Sequence, residues 1–271
     1  MGRRRDAQLF IRLDPRHPRL IFPMHRFYIP PEQWNPDALI LTGAEAHHCR
    51  DVLRLEPSNK VVLFKGEGRE ITAEIVSSNG TEIRLRKLSE AQTPPLRCRI
   101  TLAQAIPKGK NMDLIVQKAV EIGAAEIVPL LSDRTVVRLD EESAASKQTK
   151  WQTVAIEAAK QCGQNWLPRV QTPKTLAQFF ADPRRFDLQL IGSLQSDAMH
   201  LKKILAEYFL EHGDRPASVL MLVGPEGDFT PAELSLARSQ GCRPITLGPV
   251  VLRVETASIY CLSILSYELL V

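Results

Sequence analysis

Apolar positions change rhythm along the chain, and each change predicts a different kind of element. Residues 42–45 (Thr-Gly-Ala-Glu) open a short helix carrying His47, His48, Arg50 and Arg54. Three strand-like runs follow at 60–65, 70–76 and 82–87, separated by turn residues that include Gly66-Glu67-Gly68. After the polar, proline-bearing stretch at 91–95, longer apolar runs alternate with segments of helical period. The order is strand 99–105, helix 112–122 closed by Gly123, strand 125–131, and a long helix at 143–162. That helix places Trp151, Val154, Ala155 and Ala158 on one side. Helix 176–180, strand 186–191, a loop at 192–195 and an amphipathic helix at 200–211 complete this part. Strand–helix–strand alternation of this kind predicts a parallel α/β sheet.

The last fifty residues run through one plan twice. Residues 218–223 are mostly apolar without alternation, as suits a strand buried on both faces of a parallel sheet. The strand stops at Gly224-Pro225-Glu226-Gly227, where two glycines permit positive φ and close approach of other groups. Thr230-Pro231-Ala232-Glu233 then supplies an N-cap, a proline at the first helical position and a glutamate at the third, and the helix stops at Gly241. In the second pass, strand 244–247 leads to Gly248-Pro249 and a final helix at 255–270. Between turn and helix stands Val250-Val251-Leu252-Arg253-Val254-Glu255-Thr256-Ala257. Two Gly/Pro-rich strand ends at the carboxyl edge of an α/β sheet form a candidate ligand crevice, although composition alone favours ordinary βα connections.

Length and charge narrow the picture. A chain of 271 residues buries a real core and divides into two domains. The boundaries predicted are an N-terminal extension at 1–23, a β-rich domain at 24–90, a linker at 91–96 and an α/β domain at 97–271. The net charge of +4 resides entirely in residues 1–23, which hold six Arg and two acids; the remainder balances. Contact with nucleic acid therefore has to come from local patches. Arg50 and Arg54, four apart, with Arg26 and His47 nearby, form one candidate phosphate patch, although on spacing alone a solvated helix face is the stronger reading. Five scattered cysteines without a C-x-x-C pair speak against a disulfide framework or a zinc site and for a reducing cytoplasm. The adjacent histidines point apart on a helix, so no metal is expected, and no apolar run is long enough to cross a bilayer. Lys118 and Glu121, three apart, read as an exposed helix ion pair.

The motifs GPEGDFT (224–230) and LGPVVLRVETA (247–257), in this order and at this interval, resemble the paired signature of the RsmE-type 16S ribosomal RNA (uracil-N3) methyltransferases of the SPOUT superfamily. The resemblance extends from Met24 to Val271 and takes in the KGKNMD and QKAVEIG segments around residues 108–123. It departs at Lys160, where many relatives carry an acid, and at Gln164, where many carry Arg. The resemblance implies a SPOUT-type parallel sheet with a C-terminal trefoil knot, preceded by a small PUA-like β-barrel domain that binds RNA. It further implies a homodimer, S-adenosyl-L-methionine as cofactor, and methylation of N3 of a uridine in the decoding region of small-subunit ribosomal RNA or the 30S subunit.

The residues can be set against that chemistry. Adenine is neutral and planar, so backbone amides and apolar walls suffice to hold it. Leu222, Gly224, Pro225, Glu226, Gly227, Leu247, Gly248, Leu252, Thr256 and Ala257 are the expected cofactor-binding set. Uracil N3 lies on the pairing edge and carries a proton, so an unpaired base and a nearby cation are needed. Arg253 is the expected catalytic cation, with Glu255 orienting it or taking the proton. Ribose 2′-O methylation and a non-catalytic assembly factor are the competing readings. The first lacks its Asn- and Arg-bearing motifs here, and intact glycines in both loops oppose the second.

Overall fold

The computed structural model describes residues 24–135 and 139–270; the extension expected at 1–23 lies outside them. The first unit is a five-stranded sheet. Its elements are β1 (Arg26–Tyr28), β2 (Leu39–Thr42), helix α1 (Gly43–His47), β3 (Lys60–Phe64), β4 (Arg69–Ser78) and β5 (Glu82–Gln92). The spatial order is β1-β3-β4-β5-β2, with β1 parallel to β3 and the other pairs antiparallel. Alternation explains the burial: Ile71, Ala73 and Ile75 of β4 and Ile83 and Leu85 of β5 face one core with Phe27, Leu41 and Leu63. β1 and β2 are three and four residues long, too short to show a period. β5 runs to Gln92, two residues into the expected linker, because Arg69 and Glu70 of β4 supply pairing partners for Gln92 and Ala91.

The second unit is a sheet in which every pairing is parallel. In chain order come β6 (Arg99–Ala105), α2 (Asn111–Ile122), β7 (Glu126–Leu131), α3 (Glu141–Cys162), β8 (Arg169–Val170), β9 (Lys174–Thr175) and α4 (Leu176–Phe180). Then follow β10 (Leu188–Gly192), β11 (Met199–His200), α5 (Leu201–His212), β12 (Ser218–Val223), α6 (Pro231–Ser239), β13 (Arg243–Thr246) and α7 (Val254–Leu269). The order is β11-β13-β10-β12-β6-β7-β8, with β9 beside β7. β12 shows why its sequence lacks alternation. Val219, Met221 and Val223 enter the core under α2, α3, α5 and α7, while Leu220 and Leu222 enter the core under α4 and α6. Both faces are covered, so every position from Val219 to Val223 is apolar. Thr230 and Glu233 form the predicted capping box, and Gly123 closes α2 at φ +97°. Beneath the site, Ser258 of α7 donates to the Gln104 side chain of β6, both fully buried.

The two units meet along a polar seam built by residues 165–167. Asn165 donates to Glu70 Oε2 (2.9 Å) and to Thr93 Oγ1 (2.8 Å), and its carbonyl accepts from Gly68 N (2.8 Å). Leu167 N donates to Gly66 O (3.0 Å) and the Trp166 indole to Thr93 O (3.0 Å). Gly66 and Gly68 both have φ +83°, and a Cβ on Gly68 would stand 2.7 Å from the Trp166 ring. This glycine hairpin is therefore the dock for Trp166. Lys160, buried in α3, donates to Glu45 and to Glu157 at 2.9 Å each.

Candidate active site

Parallel pairing puts the carboxyl ends of all strands of the second sheet on one edge. Because β13, β10 and β12 are neighbours, the loops after them stand side by side. α7 then returns from the β13 edge to pack on α2, β6 and β12. The half-open cavity between these elements measures about 750 Å³. Its walls come from Gly192–Gln195, Val223–Glu226 with Asp228, the stretch Thr246–Glu255, Ala257 and Cys261 of α7, and Asn111 at the start of α2.

Most of the residues expected from the sequence meet here. Gly224, Pro225, Glu226, Leu247, Gly248, Leu252 and Ala257 line the cavity, and so do Arg253 and Glu255. Three do not. Leu222 is fully buried in the α4/α6 core, because strand alternation turns it away and brings Val223 to the cavity instead. Gly227 sits outside the walls, its carbonyl accepting from the Arg134 guanidinium. Thr256 is exposed on the outer face of α7.

Two phosphate-patch residues also need correction. The Arg26 side chain is 11 % exposed in the seam, donating to Glu70 Oε2 (3.0 Å) and to Asn165 Oδ1. Arg54 lies beyond the helical turn that ends at Val52 and has φ +54°, so it shares no helix face with Arg50. His47 and Arg50 do line one depression, but both bind Asp51: His47 Nδ1 is 2.6 Å from Oδ2, and Arg50 reaches both oxygens at 2.9 and 2.6 Å. Those bonds, that of Arg50 first, hold the Asp51 carboxyl down at about 2.

The acids at the cavity are braced by the segment before α2. Glu226 Oε1 accepts from Lys108 N (2.8 Å), and Glu255 Oε2 accepts from Asn111 Nδ2 (3.2 Å). Asp228 accepts from Phe229 N (2.7 Å). Arg253 is the N-cap residue of α7; it is exposed, its carbonyl accepts from Ala257 N (2.8 Å), and its guanidinium makes no hydrogen bond to a described residue. Burial pushes the Cys261 thiol up to about 12, so it serves as apolar wall. Two of the cavity glycines, Gly224 and Gly248, differ. Gly248 has φ +116° and open space where a Cβ would stand, so its backbone itself borders the cavity. A Cβ on Gly224 would press on Phe229, with Cδ2 at 3.2 Å and N at 3.3 Å. The loop at 192–195 and Asn111 were absent from the expected site. The signal available was the Gly-Ser ending of a strand, which only the order β13-β10-β12 brings beside the other two loops.

Comparison with known proteins decides the family. Residues 94–266 match the RNA methyltransferase domain family, and residues 41–88 match the RNA methyltransferase PUA domain. The ribosomal RNA small subunit methyltransferase E of Synechocystis is 33 % identical over 86 % of this chain and 74 % of its own length. The chain belongs to the ribosomal RNA small subunit methyltransferase E family. Two solved relatives carry the same architecture. The family member from Neisseria gonorrhoeae, bound to S-adenosyl methionine, is 30 % identical with TM-score 0.79, covering 91 % of this chain and 98 % of that one. A methyltransferase from Legionella pneumophila, in complex with the same cofactor, is 33 % identical with TM-score 0.80, covering 90 % and 98 %.

The cavity here suits that molecule. Its volume lies within the roughly 300–1,000 Å³ usual for small-molecule sites. Val223, Leu247 and Leu252 offer apolar walls to a neutral ring, Gly248 exposes backbone, and Glu226 and Glu255 face a molecule that carries a sulfonium and an ammonium. Among the described residues no group of three or more His, Cys, Asp or Glu is placed to hold a metal ion. No helix among them is long and apolar enough to cross a membrane.

Proposed function

We propose that this protein methylates N3 of a uridine in the decoding region of small-subunit ribosomal RNA. The observation that carries this reading is Arg253: a cation without a bonding partner among the described residues, on the wall of a cavity bordered by glycine backbone. The cofactor, when bound, supplies an electrophilic methyl group. Gly224, Gly248, Leu247 and Leu252 hold it, and Glu226, fixed by Lys108 N, keeps the loop after β12 in place. The uracil enters unpaired, since its N3 is otherwise engaged in the duplex. Arg253 stabilises the negative charge that develops on the ring as N3 loses its proton. Glu255, fixed by Asn111, is the group nearest in sequence able to accept that proton.

Residues 24–90 take the RNA-binding role, supported by the match of residues 41–88 to an RNA methyltransferase PUA domain. Residues 97–271 take the catalytic role, and the return of α7 across β6 and β12 is where the trefoil knot forms. The protein acts as a homodimer in the cytoplasm. Support for the dimer comes from α7, whose exposed positions Thr256, Tyr260, Ser263 and Tyr267 recur at helical spacing, with Val250 and Val251 exposed beside them.

Calorimetric titration with S-adenosylmethionine, followed by mass-spectrometric mapping of methylated 30S subunits, tests the reading. Binding of the cofactor and a single N3-methyluridine are expected. A methyl group on a ribose oxygen, or no cofactor binding, overturns it.

A further inference from the structure

The cations first expected to grip RNA are occupied: Arg26 by Glu70 and Asn165, Arg50 by Asp51. Other cations stand next to residues of the cavity wall. Lys108 and Lys110 are exposed on either side of Gly109, and neither ammonium has a carboxylate partner among the described residues. In the same helix pair, Lys118 is paired with Glu121 and Lys150 with Asp113. The lysine turn is fixed to the cavity rather than merely near it. Lys108 N donates to Glu226, and Asn111, one residue beyond Lys110, donates to Glu255. On the other flank of the same loop, Arg134 is anchored on the carbonyl of Gly227. Glu226 and Gly227 are consecutive, so the lysine turn and Arg134 bracket one turn of the cavity wall. The acids of that wall keep their charge but pair with neither ammonium: Glu226, Asp228 and Glu255 accept instead from Lys108 N, Phe229 N and the Asn111 amide.

We propose that Lys108 and Lys110, with Arg134 opposite, grip the phosphates flanking the target nucleotide and so fix the strand across the cavity mouth. This rests on the methyltransferase reading above. The surface accepts single-stranded or splayed RNA, because the base between the two gripped phosphates must leave its stack to enter the cavity. Point charges on flexible stems suit phosphate contact that carries no sequence information.

The test compares wild type, Lys108→Ala/Lys110→Ala and Lys108→Arg/Lys110→Arg, each checked for native circular dichroism. Binding of a single-stranded oligoribonucleotide spanning the methylated site is measured by anisotropy across a salt series, and cofactor affinity by calorimetry. For the alanine pair, the slope of log affinity against log salt should fall by about 1.4, roughly 0.7 for each lysine. Affinity near 0.15 M salt should drop roughly tenfold, while the arginine pair should stay within about threefold of wild type. Cofactor affinity should be unchanged in both. An unchanged salt slope in the alanine pair overturns the inference. So does a loss confined to cofactor affinity, which would place the lysines on the cofactor carboxylate. Failure of the methyltransferase reading shows separately, as wild type that binds no cofactor.

Discussion

Arg253 stands where the loop after β13 becomes α7, extended at φ −66° and ψ 154°, with its guanidinium free to face whatever enters the cavity. If it acts on charge that appears only in the transition state, its removal lowers kcat and kcat/KM together. Arg253→Ala should lose on the order of 10²-fold in single-turnover rate while binding cofactor and RNA normally. Arg253→Lys should recover only part, because a point charge does not reproduce the planar fork. A variant that keeps its rate but requires far more RNA would make Arg253 a positioning contact. Gly224 and Gly248 of the cavity wall call for different outcomes. Gly248→Val places a branched side chain at φ +116° against the cavity, so cofactor affinity should fall at least tenfold with the fold intact by circular dichroism. Gly224→Val presses on buried Phe229 and should lower Tm by several degrees, with cofactor affinity falling only as the turn is lost.

At the scale of elements, α3 is locked to the first sheet through Lys160, whose side chain is 6 % exposed beside Glu45 at 21 %. Burial raises the Glu45 carboxyl above its ordinary value even though Lys160 pulls the other way, so desolvation outweighs pairing. Lys160→Met should cost about 3 kcal/mol by stranding Glu45, and Lys160→Met/Glu45→Gln should regain part of it in a double-mutant cycle of denaturant unfolding. Additive losses would deny the coupling. Lys118 and Glu121, at 2.9 and 2.8 Å on an exposed face and away from the cavity, should be worth only about 0.3–0.5 kcal/mol. The seam also carries a pH signature. Burial lowers His48, with Lys160 and His47 adding to the effect and Glu157 opposing it; burial likewise lowers His25. The folded protein therefore binds fewer protons than the unfolded chain just below pH 6.5, and stability is lost as pH falls through that window. Glu45 runs the other way, its raised value favouring the folded state as pH falls from above its folded value towards 4.5. Tm measured from pH 7 to 5.5 should fall less steeply in His48→Gln than in wild type; equal slopes would exclude His48 as the source.

For the whole molecule, α7 leaves an exposed stripe uncovered in the single chain. Tyr260 and Tyr267 are 45 % and 75 % exposed and lie two helical turns apart, with Val251 at 78 % in the loop before them. Tyr260→Glu/Tyr267→Glu should yield a monomer in sedimentation velocity where the wild type sediments as a dimer, and should reduce methylation with it. A wild type that sediments as a monomer at micromolar concentration would rule the dimer out.

The parallel α/β sheet was legible because β6, β7 and β12 are apolar on both faces, and no other environment accommodates such runs beside capped amphipathic helices. The cavity loops were legible because backbone approach and positive φ demand glycine, as at Gly248, and glycine is visible in a sequence. Strand alternation also explains why Leu222 was misplaced: a run apolar at every position does not reveal which face each residue takes. Partners distant in sequence were not legible at all. Gly66-Glu67-Gly68 reads as any hairpin turn until Trp166, about a hundred residues on, docks against it. Arg26 reads as a surface cation until Glu70 and Asn165 close over it. Propensity and period are properties of neighbours along the chain, and they determined the elements. Ion pairing, docking and the meeting of three loops depend on which strands lie side by side, and only the tertiary structure decided that.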